Sequence, residues 1–151
     1  MNASIRSILV PTDGSELATR ALVYACRLAK TLRADLHVCY GIDYLSLPGY
    51  LAKGPESAPS FLREDGERVL EGARAIARGY GLEPTGHLIR GPAAAAIIRL
   101  AGAAGIDLIV MGTHGHSGMA RLVLGSVAEG VLRGAAVPVM VVPACMRETL
   151  S

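Results

Sequence analysis

Two stretches of this 151-residue chain carry residue types and spacings that suit the binding of an anion. One reads Pro11-Thr12-Asp13-Gly14-Ser15. The other reads Gly112-Thr113-His114-Gly115-His116-Ser117-Gly118 and runs on to Gly125-Ser126. Four glycines within fourteen residues let a backbone turn freely and approach a ligand closely. Successive exposed N–H groups form a concave anion site. A helix starting at Ser126 adds free donors and a partial positive charge. Ser126 can cap that helix or bond a phosphate oxygen, and Arg121 can add a formal charge. Phosphate is the expected guest. Asp13 has two roles open to it. Its carboxylate either caps the first helix or accepts from ribose hydroxyls and base amino groups.

Other phosphate and catalytic signatures fail. G-x-x-x-x-G-K-[ST] is absent, which disfavours a Walker P-loop. G-x-G-x-x-G is absent after the first strand, where Pro11 to Ser15 holds a single glycine. Ser117 lies in Gly115-His116-Ser117-Gly118-Met119, which lacks the second glycine of a nucleophile elbow. His114 and His116 have no neighbouring cysteine or carboxylate, and two histidines rarely hold a metal. No metal site is expected. His37 and His87 each fall in a strand and read as structural histidines.

The elements that must position these loops follow from periodicity. Ile5 to Val10 is a short apolar strand ending at Pro11. Ser15 suits a helix cap, and Leu17 to Leu32 repeats apolar residues at three- and four-residue steps. Leu36 to Tyr40 is a second strand. Gly41 to Ser60 holds three prolines and three glycines and reads as a long mobile loop. Leu62 to Tyr80 is a second helix, stopped by Gly81. His87 to Arg90 is a third strand, and Pro92 opens a third helix that Gly105 ends. Ile106 to Met111 is a fourth strand, Ser126 to Arg133 a fourth helix, and Val137 to Val142 a fifth strand. Nearly continuous apolar strands alternating with helices predict a parallel sheet covered on both faces, doubly wound by right-handed crossovers. Ligands bind such a sheet at the carboxyl ends of the strands, where strand order reverses. Both glycine-bearing loops fall there. Residues 1–151 read as one domain.

Composition narrows the class. Apolar residues make up 51% of the chain and net charge is +2, which argues against disorder. Six aromatics and no basic run leave little for stacking or neutralising nucleic acid, so no nucleic-acid partner is expected. Three cysteines, Cys26, Cys39 and Cys145, do not make a disulfide framework. The polar start, Met1 to Ser7, has no apolar signal core, and no apolar stretch approaches the ~20 residues of a membrane helix. A cytoplasmic protein with no membrane partner is expected.

Gly112-x2-Gly115-x9-Gly125-Ser126 resembles the G-x2-G-x9-G-[ST] motif of ATP-binding universal stress proteins. The flanks are similar too. Ile106 to Gly115 resembles the family's "ADLIVMGTHG", Leu124 to Glu129 its "LGSVAE", Val137-Pro138-Val139 its closing "VPV", Ile8 to Ser15 its opening "ILVPTDGS", and His37-Val38 its "HV". The resemblance covers essentially the whole chain. It implies a Rossmann-like α/β fold with a five-stranded parallel sheet of order 3-2-1-4-5, a homodimer, and a bound adenine nucleotide, usually ATP with Mg²⁺ held by the phosphates. By the same resemblance Pro11, Thr12 and Asp13 flank adenosine, and Val38 offers backbone contacts to adenine. Met111, Gly112 and Thr113 line the pocket. Gly115, His116, Ser117, Gly118 and Arg121, with Gly125, Ser126 and Val127, hold phosphates. Many members carry Arg or Lys where this chain has His116, which predicts weaker or pH-dependent affinity.

The fifth strand supplies its own reason for a dimer. Val137 to Val142 would be an apolar edge, and antiparallel pairing across a two-fold axis covers it. Three functions are then weighed. A nucleotide-sensing regulatory protein of the stress-response class leads. A slow ATPase needs a group to orient water, and His114, His116 and Asp13 are the local candidates, none with an evident orienting partner. A ligand-free interaction module conflicts with the complete glycine motif.

Overall fold

A computed structural model describes residues 4–42, 60–113 and 124–144. Nine elements alternate: β1 (Ser7–Pro11), α1 (Glu16–Leu32), β2 (Asp35–Ile42), α2 (Ser60–Arg78), β3 (Thr85–Arg90), α3 (Ala93–Ala103), β4 (Leu108–Gly112), α4 (Ser126–Gly134) and β5 (Val139–Val142). The five strands form one parallel sheet in the order β3-β2-β1-β4-β5. This is the expected order.

The apolar runs that make the strands also explain the two layers of helices. Successive side chains on a strand point to opposite faces. Ile8 and Val10 pack with Leu22, Cys26, Leu70 and Val110 under α1 and α2. Leu9 between them packs with Ile97, Ile109, Met111 and Val131 under α3 and α4. Ile8, Leu9 and Val10, the middle of β1, are all fully buried. A strand with water on neither side has no use for polar alternation, hence the unbroken Ile-Leu-Val. Burying one such side chain stabilises the fold by about 1.5–3 kcal/mol.

Helix ends are set locally. The Ser15 hydroxyl accepts from the Ala18 N–H at 3.2 Å and caps α1. Arg33 closes the same helix in the left-handed region, φ 54°, with its N–H on the carbonyls of Ala29 and Lys30. Gly81 and Gly105, read as helix stops, both carry positive φ. Pro92 sits at the N-cap of α3, one residue before the helix, where a missing N–H costs nothing.

Element boundaries depart from the local signals where pairing overrules them. Gly41 and Ile42 belong to β2 rather than to the following loop, because they stand in register with Ile89 and Arg90 of β3. Ser60 begins α2. β5 begins at Val139, since Pro138 has no N–H for the ladder, although its carbonyl accepts from Ile109 at 3.0 Å. Ile106 precedes β4: its N–H bonds to Ala101 and finishes α3. Residues 43–59, most of the predicted mobile loop, lie outside the described residues.

Candidate functional site

The chain leaves β1 toward α2 through β2, and later returns from β3 to lay β4 on the other side of β1. Strand order therefore reverses between β1 and β4, and the loops above these strands diverge. A cavity of about 460 Å³ opens there. Its size falls in the ordinary range for small-molecule sites.

One side is the loop after β1. Thr12 N–H bonds to the Cys39 carbonyl at 2.8 Å, extending the β1–β2 ladder one residue past Pro11. The Thr12 hydroxyl then accepts from Gly14 N–H at 3.1 Å, and Asp13 Oδ1 accepts from Ser15 N–H at 2.9 Å. Two side chains thus tie down the turn they sit in. Gly14 adopts φ +80°, and a Cβ there would stand 3.3 Å from Val69 on α2. The positive φ favours glycine, and any Cβ would require Val69 to give way by a few tenths of an ångström.

The other side is built from β4 and α4. Gly125 N–H bonds to the Thr113 carbonyl at 2.6 Å. This draws the start of α4 against the end of β4. The N-cap of α4 is Gly125, which has no side chain to cap it, so among the described residues its first N–H groups face the cavity edge without a side-chain cap. Pro11, Thr12, Asp13, Met111, Gly112, Thr113, Gly125, Ser126 and Val127 all line the cavity. Val38 is different. Its side chain is fully buried in the core under α1 and α2, and the β2 residues on the cavity are Cys39, Tyr40 and Gly41. Gly115, His116, Ser117, Gly118 and Arg121, with His114, lie outside the described residues.

A third wall comes from outside both loops. Ile89 at the end of β3, with Ala93 and Ile97 of α3, completes the cavity. No motif marks these residues. The sheet order alone could have found them, since β3 ends beside β2 and α3 crosses that face.

The electrostatics of the described lining are plain. Asp13 is its one charged residue. Burial pushes the Cys39 thiol up to about 12, so it stays neutral. Among the described residues no three His, Cys, Asp or Glu side chains gather to hold a metal. Among the described residues, the donors nearest an anion at α4 are backbone N–H groups and the hydroxyls of Thr113 and Ser126.

An open parallel sheet with a crevice at its switch point is the doubly wound α/β architecture, in which that point is the usual place for a ligand. The family model of the Universal stress protein family matches residues 4–143, and the chain belongs to that family. Universal stress protein MJ0531 of Methanocaldococcus jannaschii is 36% identical over 138 residues, covering 91% of this chain and 81% of the relative. A universal stress family protein from Burkholderia pseudomallei, known as a crystal structure, is 36% identical with a TM-score of 0.74, covering 95% of this chain and all of that one. A universal stress protein in complex with cAMP is 25% identical, with a TM-score of 0.73 and coverage of 92% and 97%. No helix among the described residues is long and apolar enough to cross a membrane.

Proposed function

We propose that this chain is a nucleotide-sensing regulatory protein of the stress response. It binds ATP, or another adenine nucleotide, with Mg²⁺ held by the phosphates, and acts as a cytoplasmic homodimer. The observation that carries this reading is the 2.6 Å bond from Gly125 to Thr113. It brings open helix donors to the same cavity that the Asp13 loop lines from the other side. The cAMP complex of a relative supports the adenine class.

In this reading Pro11, Thr12, Asp13 and Met111 surround the nucleoside, with the backbone of Cys39 to Gly41 beside the base. Gly112, Thr113, Gly125, Ser126 and Val127 face the phosphates, joined by Gly115, His116, Ser117, Gly118 and Arg121. The bound nucleotide supplies charge for a partner to sense. The chain's own residues bind and orient it without turning it over. The Asp13 carboxylate accepts from Ser15 N–H within its own turn, and no described side chain beside it has the place of a base oriented toward water. The dimer forms through Val137 to Val142. Val139, Met140 and Val141 are only half-buried on the edge strand β5, which favours a covering partner.

Native mass spectrometry of gently purified protein tests the reading. The expected species is two chains carrying adenine nucleotide. A single chain at micromolar concentration rejects the dimer. Failure to bind added ATP rejects the ligand. Phosphate release at about 1 s⁻¹, within the ordinary enzyme range, would replace the sensor with an ATPase.

A further inference from the structure

His37 on β2 and His87 on β3 are not independent structural histidines. Nδ1 of His37 faces Nε2 of His87 at 3.0 Å. The ring centroids are 5.3 Å apart and the planes differ by only 13°. A centroid separation that exceeds the N···N distance this far, in nearly parallel planes, describes rings meeting edge to edge. The contact is a single N–H···N hydrogen bond. One nitrogen donates and the other accepts, so the bridge needs one proton between two rings.

Protonation acts on this bridge in two steps. A first added proton goes to an outer nitrogen and leaves an imidazolium bonded to an imidazole, a charge-assisted contact. A second puts hydrogen on every ring nitrogen. Two N–H groups then point at each other, both rings are cationic, and the bridge must open. Burial first, and then the facing His37 ring, lower the His87 pKa below its ordinary 6.5.

Among the described residues, the surroundings offer little to hold a second proton. Asp35 lies two residues before His37 on the same side of β2 and is exposed. On β1 the same side presents Ser7, Leu9 and Pro11, none titratable. On β2 it presents Cys39, whose thiol stays neutral. α3 carries a single charge, Arg99, which donates to the Arg90 carbonyl at 3.2 Å. On β4 that side presents Ile109 and Met111, and Asp107 just before it accepts from the N–H groups of Arg6 and Ser7. On α4, Glu129 is paired with Arg133 at 2.7 Å. Across the sheet, Arg74 of α2 lies against Gly86 and near Glu71.

The bridge adjoins the cavity. His87 stands in register with Cys39, and Ile89 with Gly41. Cys39, Gly41 and Ile89 all line the cavity. β3 is an edge strand, laddered on one side only. We propose that the His37–His87 pair is a one-proton latch on the cavity wall, closed by its N–H···N bond and opened by a second proton, so that acid loosens β3 and weakens the ligand bound there. The coupling to ligand rests on the adenine-nucleotide reading, whereas the latch itself does not.

Two measurements on the whole protein test it. NMR titration of the ligand-free wild type should show the two rings taking up protons in steps separated by about one pH unit or more. Hydrogen exchange at Ile89 should speed up with the second step. Independent titration of both rings at ordinary values overturns the latch. ATP affinity should then fall by about tenfold between roughly pH 7.5 and 5, the amount one unit of pKa shift supplies. It should do so in wild type and in His116→Gln, since protonation of His116 beside phosphate would strengthen binding instead. The pair His37→Asn and His87→Gln keeps an amide bridge at the same two atoms without titrating. It should lose the acid weakening, and full retention of it overturns the proposal. If ATP binds at no pH, the nucleotide reading fails, and the ring titration with Ile89 exchange decides the latch. If the double variant does not fold, those wild-type measurements decide it likewise.

Discussion

The loop after β1 and the crossing from β4 to α4 face one cavity with opposite habits. In the first, side chains satisfy backbone: Thr12 holds Gly14, Asp13 holds Ser15, and Ser15 caps α1. In the second, backbone holds backbone, through Gly125 and Thr113, and the Ser126 hydroxyl makes no cap. The contrast separates shape from charge. A rigid turn can select a flat, uncharged part of a ligand, while open N–H groups suit its anionic part. Changes in the first loop should register in stability, and changes in the second in affinity alone.

The comparison breaks most visibly at Gly14. Gly14→Val combines positive φ with a side chain driven toward Val69, and should destabilise the protein by roughly 2–3 kcal/mol in urea unfolding. A neutral result would mean that the loop is not held as described. Asp13→Ala removes the bond to Ser15 and should lose about 1 kcal/mol, whereas Asp13→Asn keeps an oxygen in place and should lose little. If Asn nevertheless binds ATP much more weakly, the carboxylate also meets the ligand. Ser15→Ala should lose about 1 kcal/mol of stability through its cap, with affinity changed only as far as α1 frays. Ser126→Ala is the converse. Stability should hold, and ATP affinity should drop by about fivefold for one lost hydrogen bond. Unfolding at the same urea concentration with unchanged calorimetric affinity would remove Ser126 from the site.

The smallest effect concerns pH. His87 has a lowered folded-state pKa, so the fold favours its neutral form. The stability this contributes is fully present above the ordinary value of 6.5 and is lost as pH falls through the lower folded value. Unfolding midpoints in mild acid should therefore decline less in His87→Gln than in wild type.

Much of this was legible in the sequence. Helices of apolar period and unbroken strands such as Ile8 to Val10 leave one layered solution, and the switch-point rule then brings both glycine loops to one crevice. What escaped depended on register. Gly41 looks like a loop residue until Ile89 is set beside it. Val38 and Cys39 are both apolar and buried, and only the pleat decides which side chain packs under α1 and α2 and which under α3. The two histidines lie fifty positions apart. Each alone suggests a packed imidazole, and their bond appears only when β2 and β3 are aligned.

The Gly125–Thr113 bond has a further consequence, for variation rather than binding. It joins backbone to backbone, so it survives a change of side chain at Thr113. Substitution there can alter what the hydroxyl offers a ligand while the mouth of the cavity keeps its width.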